Sequence, residues 1–404
     1  MTWITKIAGI SAATVLLVSS CLAATRPILT SFYYPGYRKL SNLDLVMNEP
    51  MLKHLDVVMY SASIYGLRPY GPSYQLSRYT AANLERISKF LHQHHLKTKL
   101  MLSLGYWDPR KMRKTITDPA TRQRFIAAVI RTLKTKRFGL SGVDIDWENV
   151  DNPVKHELRD FPFFIRELSK ALRRSGLSHD LLTLDLTVNY THEFPDPKQW
   201  INYVSWANLM GYDLYGDSLP YSELDTAFGY VTLPYPGKKP IYPNISIADA
   251  LQNYHARGIM NNKLVVALPL YGVIQHVRHT SQAYNYGLRQ PVIGNRRSAS
   301  IPYWKIATDY GTYGHNKDGY QSHQYIFKTP AIADDYSGFW MTKGERFISY
   351  PDPIAMRQIA NYVVRHHYRG LSAWELSDAM KFSNPSSLLA ILSHAVSKQD
   401  KLGK

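Results

Sequence analysis

One cysteine, Cys21, stands in the whole of this 404-residue chain, so no intramolecular disulfide can form and the fold must be held by its core. Acidic residues are short as well. The 31 Asp and Glu face 48 Lys and Arg, a formal net charge of +17. An excess of that size raises the question of an anionic partner. The cations spread over helix-like segments such as Lys134 to Arg137 and Arg173-Arg174, with no basic tail and no recognisable nucleic-acid motif. A solvated basic surface is the plain account, and attraction to an anionic cell envelope is the functional one. Metal-ligand clusters are lacking too. The tract His92-Gln93-His94-His95 has no acidic or cysteine partner at ligand spacing and reads as a solvated helix end.

Long apolar runs are missing after the first two dozen residues. Ile7 to Val18 is apolar but shorter than the roughly 20 residues a membrane span needs. With Lys6 ahead of it and the small residues Ser19 to Ala24 behind, residues 1–24 are expected to be an export signal. The mature chain is then expected to be secreted, without a transmembrane segment. Val18-Ser19-Ser20-Cys21 also resembles a bacterial lipoprotein signal, which would leave Cys21 as a lipid anchor. A monomer is the favoured assembly.

What is present is an ordinary globular composition, 45% apolar and 20% charged, sufficient for a large core. Eight short apolar or β-branched runs alternate with helical patterns, the order of a parallel sheet with crossover helices. The runs lie at Pro27–Tyr34, Leu55–Tyr60, Lys97–Leu104, Leu140–Trp147, Leu181–Val188, Tyr203–Met210, Leu264–Leu270 and Gly370–Trp374. Helices are expected over Ala81–His94, Pro119–Lys134, Phe161–Arg174, Ile247–Arg257 and Pro353–His366, the second opened by Asp118 as N-cap with Pro119 behind it. Eight such units predict an α/β fold of the closed (β/α)8 TIM-barrel type, with its active site at the C-terminal strand ends. About a hundred residues separate the last two runs, too many for a plain connection. A small α+β insertion over Gly272–Arg346, between strands seven and eight, is the expected content.

The fourth run carries the chemistry. In Leu140-Ser-Gly-Val-Asp-Ile-Asp-Trp-Glu148, acids stand at 144, 146 and 148. On a strand these project from one face about 6.5–7 Å apart. Like charges crowded in a desolvated site raise a carboxyl's pKa, and an acid held ready to give up a proton is what glycosidic cleavage needs. The structural alternative is a buried ion-pair network for Asp144 and Asp146, with Glu148 a surface carboxylate.

At this point the chain resembles the family 18 glycoside hydrolases, the chitinases and their relatives. The family pattern Asp-Gly-x-Asp-x-Asp-x-Glu is met by Ser141-Gly142-Val143-Asp144-Ile145-Asp146-Trp147-Glu148 except at its first position. Ser103-Leu-Gly105-Tyr106 is similar to the family's Ser-x-Gly-Gly, with Tyr106 in place of the last glycine. Met210-Gly-Tyr212-Asp213, Lys263 to Gly272, Phe347-Ile-Ser349-Tyr350 and Gly370 to Trp374 resemble later strands in the family's order. The resemblance implies a catalytic barrel over residues 25–400 and a substrate-assisted retaining mechanism. It implies that Glu148 is the proton donor, and that Asp146, with Asp144 sharing its proton, orients the sugar's acetamido group. It implies that Tyr212 holds the acetamido oxygen and that Asp213 and Met210 line the reacting sugar. Trp374 would be that sugar's floor. Tyr33, Trp107, Tyr215 and Tyr271 are cleft candidates from their places at strand ends, with plain packing the alternative for each.

The implied partner is chitin or a chitooligosaccharide, with no nucleic acid, and no cofactor or metal is called for. Two alternatives stay open: a noncatalytic chitooligosaccharide-binding lectin, and a hydrolase acting on peptidoglycan or the N-glycan core.

Overall fold

The computed structural model describes residues 26–35, 43–63, 67–70, 73–105, 109–147, 155–189, 194–215, 220–236, 244–294, 299–327 and 335–402. Eight parallel strands close a barrel: β1 (Ile28–Tyr33), β2 (Val57–Ser63), β3 (Lys99–Gly105), β4 (Leu140–Asp146), β5 (Leu181–Thr187), β6 (Trp206–Met210), β7 (Leu264–Pro269) and β8 (Gly370–Trp374). Each pairs with its neighbours in sequence, and β8 closes on β1 through Ile28↔Gly370 to Ser31↔Ala373. All eight expected strands are there. The helices that matter for the site are α1 (Arg78–Gln93), α2 (Pro109–Thr117), α3 (Pro119–Leu133), α4 (Lys155–Arg174), α5 (Ile247–Ala256), α6 (Pro353–Arg365) and α7 (Leu388–Leu402).

Local chemistry fixes where several helices start. Asp118 accepts the amide of Thr121 at 3.1 Å with Pro119 at the first helical position, and Asp352 accepts the amide of Ile354 at 3.0 Å ahead of Pro353. Ser77 and Ser246 cap α1 and α5 through the amides of Thr80 and Asp249. Helix α4 begins six residues before its expected start. Pro162 reads in sequence as a first-turn residue, yet it lies inside the helix. An internal proline costs about 3 kcal/mol. Phe161, Phe164, Ile165, Leu168 and Leu172 are all buried along the same helix, at about 1.5–3 kcal/mol each, and in the turn ahead of the proline buried Glu157 accepts from Arg113 of α2 at 2.9 Å.

Strand alternation divides the core into two layers. On β4, Val143 and Ile145 point outward, and Trp147 just beyond the strand stacks on Phe161 of α4 at 4.7 Å between ring centroids. Inside the barrel Ile28, Phe32, Val57, Met59, Met101, Trp206 and Val265 form a separate cluster. The inward side of β4 is left for Asp144 and Asp146.

A five-stranded antiparallel sheet follows β7, in the order 299–302, 271–276, 346–350, 336–343, 321–327. Its strand Tyr271–His276 starts two residues after Pro269, the last residue of β7, so it grows directly from the barrel mouth. A buried ion pair ties the loop after β6 to this sheet's approach. Arg289 donates to Glu223 at 2.8 Å, to Asn244 at 2.8 Å and to the carbonyl of Leu233, and Tyr235 donates to the same glutamate. No helix among the described residues is long and apolar enough to cross a membrane.

Candidate active site

Asp144 lies wholly buried inside the barrel. Ser103 on β3 donates to one carboxylate oxygen at 2.8 Å, and Thr183 on β5 donates to the other at 2.5 Å. Asn208 on β6 reaches that second oxygen at 3.4 Å and Asp185 on β5 at 2.8 Å, and its own oxygen accepts the Trp206 indole N–H at 2.9 Å. Burial pushes the Asp144 carboxyl up, and the hydrogen bonds from Thr183, Ser103 and Asp185 pull the other way. The desolvation of a fully buried carboxylate dominates, so this group is favoured as its protonated form. A hydrogen bond between two carboxyls requires a proton on one of them, so Asp144 and Asp185 titrate as a pair.

Asp146, one step nearer the mouth, is the last residue of β4 and is 7% exposed. It stands opposite Gly105 of β3 in register. A methyl group on Gly105 would come within 2.5 Å of the Asp146 Oδ2, well inside contact distance. The glycine at the end of β3 is therefore what lets the carboxylate lie over that strand.

Around the mouth, Met210, Tyr212, Ala267 and Tyr271 pack together with Trp374 against them. Tyr212 stacks on Trp374 at 6.1 Å and 28° and meets Tyr271 edge-on at 6.2 Å. Tyr34 lies 6.1 Å from Trp374 at 24° and Phe32 lies 5.3 Å from it. Tyr271 donates its hydroxyl to Asp213 at 2.7 Å. Burial, then the carboxylates of Asp225 and Asp213, push the Tyr271 phenol well up, so it stays a donor. Asp213 holds a φ of 50°, a conformation that Asp tolerates better than most residues.

At the end of β8, buried Glu375 accepts the amide of Tyr34 at 3.1 Å and that of Ser377 at 3.4 Å, clipping the segment after β1 to the segment after β8. Its carboxyl is pushed up by burial, and that of nearby Asp378 is pushed up to about 8 by burial and by Glu375.

Matching against family profiles covers residues 32–379 with "Glycosyl hydrolases family 18". The chain belongs to this family. An endochitinase of Manduca sexta is 23% identical over 307 residues, which is 71% of this chain and 51% of that protein. The chain thus spans about half the length of that relative. A class V chitinase from Nicotiana tobaccum solved in complex with NAG4 superposes with a TM-score of 0.70 at 19% identity, covering 92% of this chain and 99% of its own. A chitinase-like agglutinin from Robinia pseudoacacia superposes with 0.68 at 19% identity, covering 91% and 99%. At these identities the structural likeness establishes the barrel and leaves the choice between catalysis and sugar binding to the site.

In this family 18 barrel the structure gathers Met210, Tyr212, Tyr271 and Trp374 at one place, with Asp213 bonded to Tyr271. Tyr33 is not there. It is 1% exposed and packs edge-on against Tyr60 in the strand–helix layer, because neighbouring residues of a strand face opposite ways and Phe32 takes the inward side. Tyr215 lies apart as well, accepting the amide of Ile245 at 3.4 Å beside the Glu223–Arg289 pair, with burial and Glu223 pushing its phenol up to about 12. Glu148, Trp107 and Tyr106 lie outside the described residues. The residues not singled out from sequence are Asp185, Thr183 and Asn208 around Asp144, and Glu375 behind Trp374. The alternation Leu182, Thr183, Leu184, Asp185, Leu186 carried the signal for the first two, since it sets polar side chains on the inward face.

Proposed function

We propose that this chain is an exported chitinase-type hydrolase that cleaves β-1,4-linked N-acetylglucosamine polymers with retention, using the substrate's own acetamido group as nucleophile. The observation that carries the reading is the inward row of β4. Asp144 is sealed in a hydrogen-bonded nest, and Asp146 follows at the mouth end against Gly105. An ion-pair role would leave a cation beside Asp144, and among the described residues the groups hydrogen-bonded to it are a serine, a threonine, an asparagine and an aspartate.

In this mechanism Glu148, two residues past Asp146, gives its proton to the leaving glycosidic oxygen as the C1–O bond breaks. The acetamido carbonyl oxygen bonds to C1 from the opposite face, an intramolecular attack that gains from high effective molarity. Asp146 accepts the acetamido N–H and offsets the positive charge of the oxazolinium ring. The Tyr212 hydroxyl steadies the acetamido oxygen, and Trp374 lies under the axial C–H groups of the sugar. Water then attacks C1 from the side the leaving group vacated and gives its proton to Glu148, restoring the acid. The hydrogen bond between the Asp144 and Asp185 carboxyls holds a proton between them, which limits the negative charge behind Asp146.

The test is hydrolysis of fluorogenic chitobiose and chitotriose glycosides by the purified chain beside Glu148→Gln. Loss of a general acid is expected to lower the rate by about 10²–10⁴-fold. Intact chitooligosaccharide binding without turnover in the unmodified chain would place it with sugar-binding relatives. Turnover only of peptidoglycan or N-glycan fragments would change the substrate while keeping the reaction.

A further inference from the structure

In a (β/α)8 barrel the active site opens at the C-terminal strand ends, and the opposite end is closed by the connections that lead from each helix into the next strand. Here those connections are Arg26 and the segments 53–56, 92–99, 131–139, 170–180, 195–205, 255–263 and 365–369. They hold sixteen Lys and Arg against three Asp, a net +13 of the chain's +17. Thirteen of the sixteen cations are exposed. The charge that is dispersed along the sequence is thus concentrated on one end of the molecule, the end away from the catalytic mouth.

Two further features lie on or beside this basal face. Met260, at 61% the most exposed large apolar side chain among the described residues, stands in the connection before β7. A cleft of about 670 Å³ between α3 and α4 opens beside the face, lined by Arg131, Lys170 and Arg174 against the single acid Glu167, over Ile126 and Ile130. Residues 1–25 join the barrel at Arg26, on the same face. Flat placement of many cations around one axis, with an apolar side chain standing among them, suits a planar anionic surface with an apolar layer beneath it. The exposed Phe, Tyr and Trp side chains of the described residues all lie elsewhere, and the rings exposed on this face are those of histidines such as His92, His94, His95 and His179.

We propose that the basal end of the barrel is a docking face for an anionic phospholipid surface, which holds the catalytic mouth turned away from the bilayer. Headgroup phosphates meet the basal lysines and arginines, the cleft between α3 and α4 receives a headgroup, and Met260 enters the interface. The inference is independent of the hydrolytic reading, because it uses no residue of the mouth.

The experiment is co-sedimentation of the full chain with vesicles of phosphatidylcholine alone and of phosphatidylcholine with roughly one-third phosphatidylglycerol, near physiological salt, where screening extends over about 8 Å. Binding is expected to be at least about 10-fold stronger to the anionic vesicles and to weaken with added salt. The variant Lys134→Glu/Lys136→Glu/Lys170→Glu/Arg174→Glu should lose at least about 10-fold of that binding. Its charge-keeping counterpart (Lys134→Arg/Lys136→Arg/Lys170→Arg/Arg174→Lys) should retain it, and Met260→Asp should weaken it. All four positions are exposed, and unchanged melting temperatures would show that the variants fold. Equal binding to neutral and anionic vesicles would overturn the proposal, as the N-terminal segment would then carry the attachment. So would charge reversal without effect, or tighter binding to duplex DNA than to the anionic vesicles at the same salt.

Discussion

Gly105 and Asp146 constrain each other directly at the scale of single residues. A Cβ at position 105 would stand 2.5 Å from the Asp146 Oδ2, so Gly105→Ala must push that carboxylate aside. Misplacing a catalytic group by about 1 Å costs on the order of 10²-fold in rate. The expected result is a fall in kcat of that order with little change in melting temperature, measured on the chitobiose glycoside. Asp378 makes a second prediction, about pH. Its carboxyl ionises near 8 in the folded chain, against the usual carboxylate range when unfolded. Between about pH 4 and 8 the folded state therefore binds more protons than the unfolded state, and stability falls as pH rises through that window. Glu375, also pushed up, acts with the same sign. Asp378→Asn should accordingly raise the melting temperature more at pH 8 than at pH 5. An advantage at pH 5 that equals or exceeds that at pH 8 would contradict the assignment. The shared inward face of Asp144 and Asp146 and the place of Trp374 at a strand end were legible at this scale, from the alternation of acids along one strand and from the apolar run that ends at Trp374. Tyr33 was misplaced because its position at a strand end was weighed without its parity. Asp185 was passed over although its alternation with Thr183 sets both on the inward face, because attention went to the acids of β4 alone.

Among elements, the loop after β6 and the sheet after β7 are joined by a pair that charge alone would not favour. Arg289 and Glu223 are 4% and 3% exposed, so both ions have left water. Their contact is compensated by Asn244, Tyr235 and the carbonyl of Leu233. Removing one partner leaves an uncompensated buried charge, and Arg289→Ala should destabilise the chain by about 3–5 kcal/mol in denaturant unfolding. Arg289→Met with Glu223→Leu should recover much of that loss, because the apolar pair carries no desolvation penalty. Loss in the double variant equal to the single would show that the pair's hydrogen bonds, not its charges, hold the loop. The barrel itself was readable because each strand has an apolar run of the right length and each caps or breaks cleanly. The early start of α4 was not, because Pro162 reads in sequence as a first-turn residue, while the added turn before it is held by the long-range contact of Glu157 with Arg113.

At the scale of the whole molecule, net positive charge gathers at one end of the barrel. The connections leading into the strands carry +13 of the chain's +17, while Asp146, Asp213 and Glu375 stand at the opposite ends of the strands. This asymmetry could not be read from the sequence, where the basal residues are separated by tens of positions and appear only as scattered charge. The eight-fold return of the chain to the same end assembles them. The catalytic account stands on one step above all, attack by the substrate's own acetamido oxygen. The most direct measurement compares two fluorogenic chitobiose substrates that differ only in the sugar being cleaved, one with its acetamido group and one with a free amine. The account predicts turnover of the first and a loss of about 10³-fold or more for the second, given the effective molarity of a well-placed neighbouring group. Equal turnover of the two, or turnover of neither, would contradict it.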